Sequence, residues 1–511
     1  MIYPAKYLAS PVRSDGMRAL LLVIPLLAVA ASSSASGTQD EVKRDFQKTV
    51  TLTGNQGVSL DTRFGQVHIH GDSGHEARIS AAIRVQDSNA NDAQEFLQKI
   101  QIEVREESDG VHIKTIYPEN KMPRIRIVGH SSFSVDYDIA MPAGAPLWLR
   151  NAFGNSEISG VRGWSQIESA NGSLNVRDAG AAKLVNSFGR IDLNNAAGNC
   201  DVTNANGAVY ISNIKGTLEV RNRFGEISAS QVSGGATISG GNGAITLTQS
   251  GGNSTVNNSF GDVTARNISG NLAVSDSNGR VEATDVTGDA DLKTSFGAVD
   301  ATRIGGALTV HSSNGEARFA EVRGFVTANT SFGAVNGSKL YKGAHIETGN
   351  GAIELSTVDG EVYTKTSFGS IHVENLKGKF TAQDSNGSVT GKNIQGDTSV
   401  DTSFSGVSLE GVGGTIRVAN QNGAIEVTAS SASGCKDMHL KTSFSQIKVG
   451  IPSSAGYKVT AHTSFGHVTT ELPITASGTM GGDTINGIIG NGACTLELSN
   501  SNGNIEIRRA Q

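Results

Sequence analysis

The sequence predicts an all-β fold, a right-handed single-stranded β-helix (β-solenoid) with about 18 residues in each coil. Three observations predict it. Phe-Gly and Asn-Gly dipeptides alternate at constant spacing along most of the chain, which indicates internal duplication. Between them, apolar residues recur with a period of two and are interrupted by glycine about every nine residues, as in short strands joined by turns. The 511 residues include 63 Gly, and the abundance of Gly, Ser, Thr, Asn, Val and Ile is typical of strands and tight turns rather than helices.

Residues 1–35 are predicted to be a signal peptide. Arg18 precedes an apolar run, 19–31, which is too short to span a bilayer and is followed by small residues that suit a signal peptidase. The alternative is a retained membrane anchor. Residues 1–35 carry a net charge of +2, so their removal changes the net charge from −6 to −8. Such a chain is a poor partner for nucleic acid. We expect an exported protein that is periplasmic, on the cell surface or secreted, with no membrane span after signal removal.

Residues 36–145 are predicted to form an N-terminal β-rich capping domain. One segment, Asn91–Ile100, is typical of a short helix opened by an asparagine cap. The strand-like segments are Val50–Leu52, Gln66–His70, Ile79–Val85, Gln101–Val104, Gly110–Lys114 and Phe133–Ile139. A stack of coils needs capped ends, because an open end exposes an unpaired sheet edge.

Regular solenoid repeats are predicted over residues 146–430. Each dipeptide recurs there every 36 residues, and the two series interleave at an offset of 18. The repeat-defining phenylalanines are Phe188, Phe224, Phe260, Phe296, Phe332, Phe368 and Phe404. The repeat-defining asparagines are Asn206, Asn242, Asn278, Asn314, Asn350, Asn386 and Asn422. The same motifs continue outside these series at Phe153, Asn171, Phe444, Phe465 and Asn502.

One unit shows the pattern within a coil, counted from the glycine of the dipeptide as position zero. In the unit that begins at Gly297, the apolar residues at +2, +4 and +7 and those at +11 and +13 lie on either side of a glycine at +9. Two short strands cannot bury their apolar side alone, so stacked coils must form the core. The alternative is a coil of 36 residues, with Phe over Phe and Asn over Asn. The small inward residues favour the narrower coil of 18, which fills to normal packing density.

Residues 431–511 are predicted to be irregular C-terminal coils and a cap, because the motif spacing breaks after Gly423. Longer loops are expected around Ser431–Lys436 and over Thr475–Gly492. Export would permit a disulfide between Cys435 and Cys494, although the spacing alone does not require one. Cys200 is interpreted as a small packed side chain.

The direction of the phenylalanine side chains has two interpretations. Phe at position −1 has the same parity as the inward positions +11 and +13, which favours a phenylalanine packed in the core and an asparagine that forms a turn with positive φ. The alternative is an exposed aromatic ladder that stacks on sugar rings, with the asparagines hydrogen-bonding to the same ligand.

A family resemblance rests on the signal peptide, on residues 50–52 and 65–69, and on residues 135–142 (VDYDIAMP) followed by recurrent Ser/Asn-x-Gly-x-(Val/Ile) units. In these features the chain resembles the bacterial "putative adhesin" family of β-strand repeat proteins, a domain of unknown function, over most of residues 40–511. The resemblance implies a right-handed β-helix at or outside the cell envelope and an adhesin-like role.

No catalytic, cofactor-binding or metal-binding residue is predicted. Solenoid enzymes build a cleft from long loops, whereas the loops between Gly189 and Gly423 are uniformly short, which leaves no walled pocket. Regular calcium binding is disfavoured because Ile245 stands where a calcium-binding β-roll needs Asp. His68 and His70 share one strand face, but no third metal ligand is evident.

The sequence therefore predicts a non-enzymatic exported β-solenoid, an adhesin-like structural or surface-interaction protein of the bacterial envelope that needs no cofactor. Surface glycans or envelope proteins are the expected partners. The alternative is a carbohydrate-active β-helix enzyme, a polysaccharide lyase or hydrolase, with its site in the irregular end coils.

Overall fold

The structure is a computed structural model, and it describes residues 40–118, 132–430, 432, 434–477 and 481–510. The predicted signal peptide, residues 1–35, lies outside the described residues. Within the described part of the chain, no helix is long and apolar enough to cross a membrane.

The β-solenoid prediction is confirmed, with coils of 18 residues. Each coil contributes one strand to each of two parallel sheets, and each strand pairs with the strand one coil later. Ile191 pairs with Val209, for example, which pairs in turn with Ile227. The alternative coil of 36 residues is wrong, because Phe188 pairs with Asn206 rather than with another phenylalanine.

The strands of the repeats are short and almost all lie in parallel pairs. Those of the first sheet are Ser156–Ser159, Leu174–Ala179, Ile191–Ala196, Val209–Ile214, Ile227–Val232, Ile245–Ser250, Val263–Ile268, Val281–Val286, Val299–Ile304, Ala317–Val322, Val335–Leu340, Ile353–Val358, Ile371–Leu376, Val389–Ile394, Val407–Val412, Ile425–Ala429 and Ile447–Ile451. Those of the second sheet are Leu147–Phe153, Ser165–Asn171, Ala182–Phe188, Cys200–Asn206, Leu218–Phe224, Ala236–Asn242, Ser254–Asn257, Leu272–Ser275, Ala290–Thr294, Leu308–Ser312, Val326–Thr330, Gly343–Thr348, Glu361–Lys365, Phe380–Gln383, Thr398–Thr402, Ile416–Asn420 and Met438–Lys441.

Alternate side chains of both sheets fill one continuous core. In the unit that begins at Gly297, Val299, Ile304 and Leu308 have no exposed surface. Full burial of an aliphatic side chain of this size stabilises the fold by about 1.5–3 kcal/mol. Because every coil adds several such residues, the stack of coils carries most of the stability of the fold.

From the coil that begins at Gly154 to the one that begins at Ser405, each coil turns sharply at position +6, where the residue has a left-handed backbone conformation with φ between 53° and 70°. The turn explains why the inward positions +4 and +7 are three residues apart rather than two. Side chains of neighbouring coils pair along this column. Arg303 donates to both carboxylate oxygens of Asp285 at 2.5 and 2.8 Å, and Asn393 Nδ2 donates to Asn375 Oδ1 at 3.0 Å.

A column of buried polar side chains lies at position +15, just before the Phe-Gly and Asn-Gly dipeptides. Most of these side chains form hydrogen bonds to the backbone of the adjacent corner, in their own coil, in the neighbouring coil or in both. Asn204 Nδ2, for example, donates to the carbonyl oxygens of Gly189 and Gly207, both at 3.1 Å. Since those two glycines occupy successive coils, one side chain ties two layers together. Thr, Ser and Asp occupy the same position in other coils.

The N-terminal elements belong to the same two sheets as the repeats. They are the strands Asp40–Thr51, Gly57–Phe64, Val67–Asp72, Glu76–Asp87, Gln101–Glu107, Gly110–Ile116 and Ser132–Pro142 and the helix Ala90–Lys99. Gly57–Phe64 and Val67–Asp72 form a coil stacked directly on the coil that begins at Leu147, as the pairing of Phe64 with Phe153 shows. Gly110–Ile116 and Ser132–Pro142 form the next layer outward. Gln101–Glu107 and Glu76–Asp87 pair antiparallel with this layer, and Asp40–Thr51 pairs antiparallel with Glu76–Asp87.

The predicted helix is confirmed but begins earlier than expected. Asn89 caps it by accepting a hydrogen bond from the Asn91 backbone N–H at 3.0 Å, so the helix runs over Ala90–Lys99. Ala93 and Leu97 are buried, and the helix contacts the strands Asp40–Thr51 and Glu76–Asp87. It therefore covers apolar surface at the N-terminal end of the stack.

The C-terminal coils do not stack in chain order. Their strands are Tyr457–Phe465, Val468–Thr470, Thr475–Ala476, Thr484–Ile489, Cys494–Asn502 and Ile505–Arg509. The last two strands lie between the coil at 438–451 and the coil at 457–470, and pair with both. Cys435 and Cys494 form a disulfide with a Cα–Cα distance of 6.0 Å. Thr484–Ile489 pairs antiparallel along Tyr457–Phe465.

The left-handed corner predicts the effect of one substitution. Thr357 has φ of 57°, a conformation that is costly for a β-branched residue and that Asn tolerates. We expect Thr357→Asn to raise the free energy of unfolding by about 1 kcal/mol in denaturant titration. Thr390→Asn is the matched control, because Thr390 lies within a strand, where Asn is disfavoured. An equal stabilisation by both substitutions would contradict the explanation.

Two buried carboxyl groups predict a pH-dependent stability. Asp276 and Asp384 lie in the +15 column, and each has one oxygen without a hydrogen-bond partner among the described residues. Burial raises the pKa of both carboxyl groups above the usual value, although backbone N–H groups of Gly279 and Gly387 oppose this. A raised pKa in the folded state means that the groups stabilise the fold fully only below their unfolded pKa, and that this contribution is lost as the pH rises through the folded pKa.

We therefore expect Asp276→Asn and Asp384→Asn each to raise stability at pH 7 by about 1 kcal/mol, since Asn fits this column and carries no charge. The gain should disappear in acid, where the aspartates are protonated. Melting temperatures across the pH range from acid to neutral measure the effect. Glu410→Gln, at an exposed side chain, should change little at any pH, and a gain from Asp276→Asn that persisted in acid would be inconsistent with a cost of ionisation.

Candidate functional site

Phenylalanine and asparagine alternate in a single column along one corner of the solenoid. Phe188 pairs with Asn206, Asn206 with Phe224, and Phe224 with Asn242, so each ring lies two coils from the next. Neighbouring strands are about 4.8 Å apart, which separates successive rings by about 10 Å. We call this row of residues at position −1 the Phe/Asn column.

The rings of the Phe/Asn column are exposed to solvent. Their exposed fractions range from 39% at Phe224 to 74% at Phe465. The other exposed rings of the column are Phe153, Phe188, Phe260, Phe296, Phe332, Phe368, Phe404 and Phe444. The interpretation of these phenylalanines as core residues is wrong.

The phenylalanines do not follow the parity of the strand because the alternation of inward and outward side chains ends at position +15. The polar side chain there already occupies the interior of the corner, as Asn204 and Asn222 do. The chain then bends, and the two residues that follow lie on the outside of the bend. A polar residue recurring at an inward parity was the signal in the sequence that the corner interior is filled.

Most asparagines of the column donate a hydrogen bond to the backbone of the neighbouring coil. Asn278 Nδ2 donates to the Ser259 carbonyl at 3.0 Å, and Asn314 Nδ2 donates to the Ser295 carbonyl at 3.2 Å. The expected positive φ at these asparagines is wrong. In the coils up to Gly261 it is the following glycine that has positive φ, such as Gly207 with φ of 130°.

Polar groups separate and border the rings. In most regular coils a serine precedes the Phe or Asn of the column, at residues 187, 259, 277, 295, 313, 331, 367, 385 and 403. Next to these serines, a shallow groove of about 520 Å³ runs along the second sheet. Lys365, Gln383, Asp401, Gln421 and Lys441 line it. The aromatic rings thus stand singly among hydroxyl, amide and charged groups.

The N-terminal end of the column shows how its rings accept a flat partner. Phe64 and Phe153 lie on adjacent coils, and their rings stack with centroids 5.2 Å apart and an angle of 9° between planes. Tyr117 and Phe133 contact Phe64 edge to face at 5.4 and 4.9 Å. Phe64 is accordingly less exposed than the rings of the repeats.

The histidines named from the sequence form no metal site among the described residues. His68 lies 3.5 Å from Glu157, and His70 lies 3.7 Å from Asp138, all on exposed side chains. A different group, Glu107, Asp109 and His112, brings its ligand atoms within 4.8 Å of one another at the surface of a hairpin. The hydrogen bond from His112 lowers the pKa of the Asp109 carboxyl. Exposed acidic groups of this kind are common at turns, and we assign them no role.

The free cysteine is not placed for nucleophilic chemistry. Cys200 is buried, and burial raises the pKa of its thiol to about 11. At neutral pH the thiol is therefore protonated, and a thiol is a poor nucleophile compared with a thiolate. The interpretation of Cys200 as a packed side chain agrees with its exposure of 3%.

No family model matches the chain, and no curated protein matches its sequence. Among solved structures, the chain is similar to a "putative cell adhesion protein" from Clostridium sporogenes ATCC 15579. The identity is 8%, the match covers 92% of this chain and 100% of the other, and the TM-score is 0.15. A likeness this weak says nothing about the function of this chain.

The exposure of the column predicts that substitution of its phenylalanines affects stability much less than substitution of a core phenylalanine. Phe332 is 62% exposed, whereas Phe319 points into the core and is 3% exposed. We expect Phe332→Ala to change the free energy of unfolding by less than about 0.5 kcal/mol and Phe319→Ala to lower it by about 3–5 kcal/mol. Chemical denaturation of both variants tests the difference. A large loss from Phe332→Ala would mean that the column is structural.

Proposed function

We propose that this protein is a non-enzymatic, exported β-solenoid that acts as an adhesin-like, surface-interaction protein of the bacterial envelope. The observation that carries the proposal is the Phe/Asn column, which repeats one exposed aromatic ring every two coils over most of the fold. The proposal assigns binding to this corner and a scaffolding role to the rest of the solenoid.

Stability does not account for the exposed rings. A phenylalanine that is more than half exposed contributes little to the core, and regular exposure of large aromatic side chains is typical of surfaces that contact a partner. The rings recur at one position of the coil while their neighbours in the column are asparagines. A repeated arrangement of this kind suits a partner that is itself extended and repetitive.

The distribution of charged groups supports binding rather than catalysis. Charged side chains on the outer faces form exposed pairs between coils, such as Lys339 with Glu321 at 2.8 Å. The groove beside the column contains Asp384, whose carboxyl has a raised pKa, a property that a general acid needs. Asp276 occupies the equivalent position in another coil, with its pKa raised by the same burial, so the feature belongs to the +15 column rather than to a catalytic centre.

Two features favour export. Residues 1–35 have the composition of a signal peptide, and Cys435 and Cys494 form a disulfide. Disulfides persist in oxidising compartments outside the cytosol.

The proposal predicts binding without turnover. Residues 36–511 should sediment with bacterial cell surfaces, isolated cell-wall sacculi or insoluble polysaccharide, and should release no reducing sugar or unsaturated product from them. Fractionation of the producing cell should place the protein outside the cytoplasm. Release of sugar products would establish the carbohydrate-active enzyme instead, and failure to bind any of these surfaces would remove the adhesive role.

A further inference from the structure

We propose that the Phe/Asn column binds a single extended β-1,4-linked glycan chain that runs parallel to the column, with one disaccharide for each interval between rings. The inference rests on the proposed function and names its ligand class. It draws on the spacing of the column, on the groups that border it and on the number of its rings.

The spacing matches the period of such a glycan. In an extended β-1,4-linked chain, each sugar is turned by about half a rotation relative to the one before it, so the same face and the same substituents return at every second sugar. The disaccharide repeat is therefore the natural unit of recognition. Its length is close to the separation of about 10 Å that two strand spacings impose between rings.

Apolar rings and polar asparagines alternate along the column, and a glycan presents apolar C–H faces and polar hydroxyl groups to match them. The flat C–H face of a pyranose packs on an aromatic ring, which gives apolar contact without a deep pocket. Between the rings, Asn278 and Asn314 each donate a hydrogen bond from Nδ2 to a serine carbonyl oxygen of the preceding coil. Their Oδ1 atoms accept no hydrogen bond from other described residues, and so remain available to a sugar hydroxyl. The bordering serines supply further donors and acceptors.

The arrangement does not suit three other partners of an exposed aromatic row, namely a protein, a membrane surface and a small molecule. Protein–protein interfaces have an apolar core in which side chains pack together, whereas Asn and Ser isolate each ring of this column. An anionic membrane surface is disfavoured by the net charge of −8 that the chain carries after signal removal, because like charges repel. Ten exposed rings also exceed what a small ligand contacts, which points to a polymer.

The first experiment removes three consecutive rings. In Phe296→Ala/Phe332→Ala/Phe368→Ala, all three side chains are 62% to 65% exposed, so the fold should persist. The control, Phe325→Ala/Tyr341→Ala, removes two aromatic side chains that are 38% and 47% exposed and lie outside the column. Calorimetry with chito-oligosaccharides and cello-oligosaccharides, from disaccharide to octasaccharide, gives the affinity. We expect the triple variant to bind at least about tenfold more weakly and the control to match wild type.

Ligand length tests the period. The affinity of wild type should increase in steps of two sugars, because only each completed disaccharide reaches another ring. A smooth increase with every added sugar would overturn the proposed register. If the triple variant binds as well as wild type while wild type still binds cell surfaces, the column is not the site and the adhesive function survives. If wild type binds no surface at all, the proposed function itself fails.

A register variant separates periodic recognition from general hydrophobic attraction. Asn314→Phe places a third ring between Phe296 and Phe332, on adjacent coils, as Phe64 and Phe153 are placed when they stack. We expect weaker glycan binding although the surface becomes more apolar, while Asn314→Gln, which keeps the ring spacing, should bind within about threefold of wild type. Stronger binding by Asn314→Phe would show that the rings act only as a hydrophobic surface.

Discussion

The close approach of successive backbones at the Phe/Asn corner constrains the rest of the structure. A Cβ atom at Gly207 would lie 2.2 Å from the carbonyl oxygen of Gly189, and one at Gly297 would lie 1.7 Å from that of Gly279. A side chain does not fit a contact of this length, so glycine is required in such coils and the glycines of successive coils lie directly over one another. In one regular coil, Ser405 stands at this position. The coil length, the pairing of the strands and the alignment of the Phe/Asn column all follow from that requirement.

Much of this architecture is predictable from the sequence, because glycine spacing and apolar alternation are local patterns with one structural solution. The coil of 18 residues follows from residues such as Val299, Ala301 and Leu308, whose sizes suit a narrow core. The direction of the phenylalanines is not predictable in the same way. Strand parity describes a straight strand, and the bend after position +15 is set by hydrogen bonds such as that of Asn204 to Gly189, which cross between coils.

The left-handed corner, the exposed column and the disulfide also depend on contacts between coils, which the local sequence pattern does not describe. Apolar positions +4 and +7 are three residues apart, a signal of the left-handed residue between them, yet only the backbone shows that charged residues such as Arg303 adopt it. The candidate binding surface follows from the exposure of the column, which depends on these corners. The pairing of Cys435 with Cys494 depends on the unusual layer order at the C-terminal end, which no spacing in the chain reveals.

That layer order constrains how the C-terminal coils assemble during synthesis. The coil at 494–509 fills the layer between the coils at 438–451 and 457–470, so the facing edges of these two coils have no shared partner until residues 494–509 have been made. Addition of repeats in chain order therefore cannot close this end. The coil at 494–509 therefore joins two coils that both precede it in the chain, and the disulfide between Cys435 and Cys494 links it covalently to the segment that leads into the earlier of them.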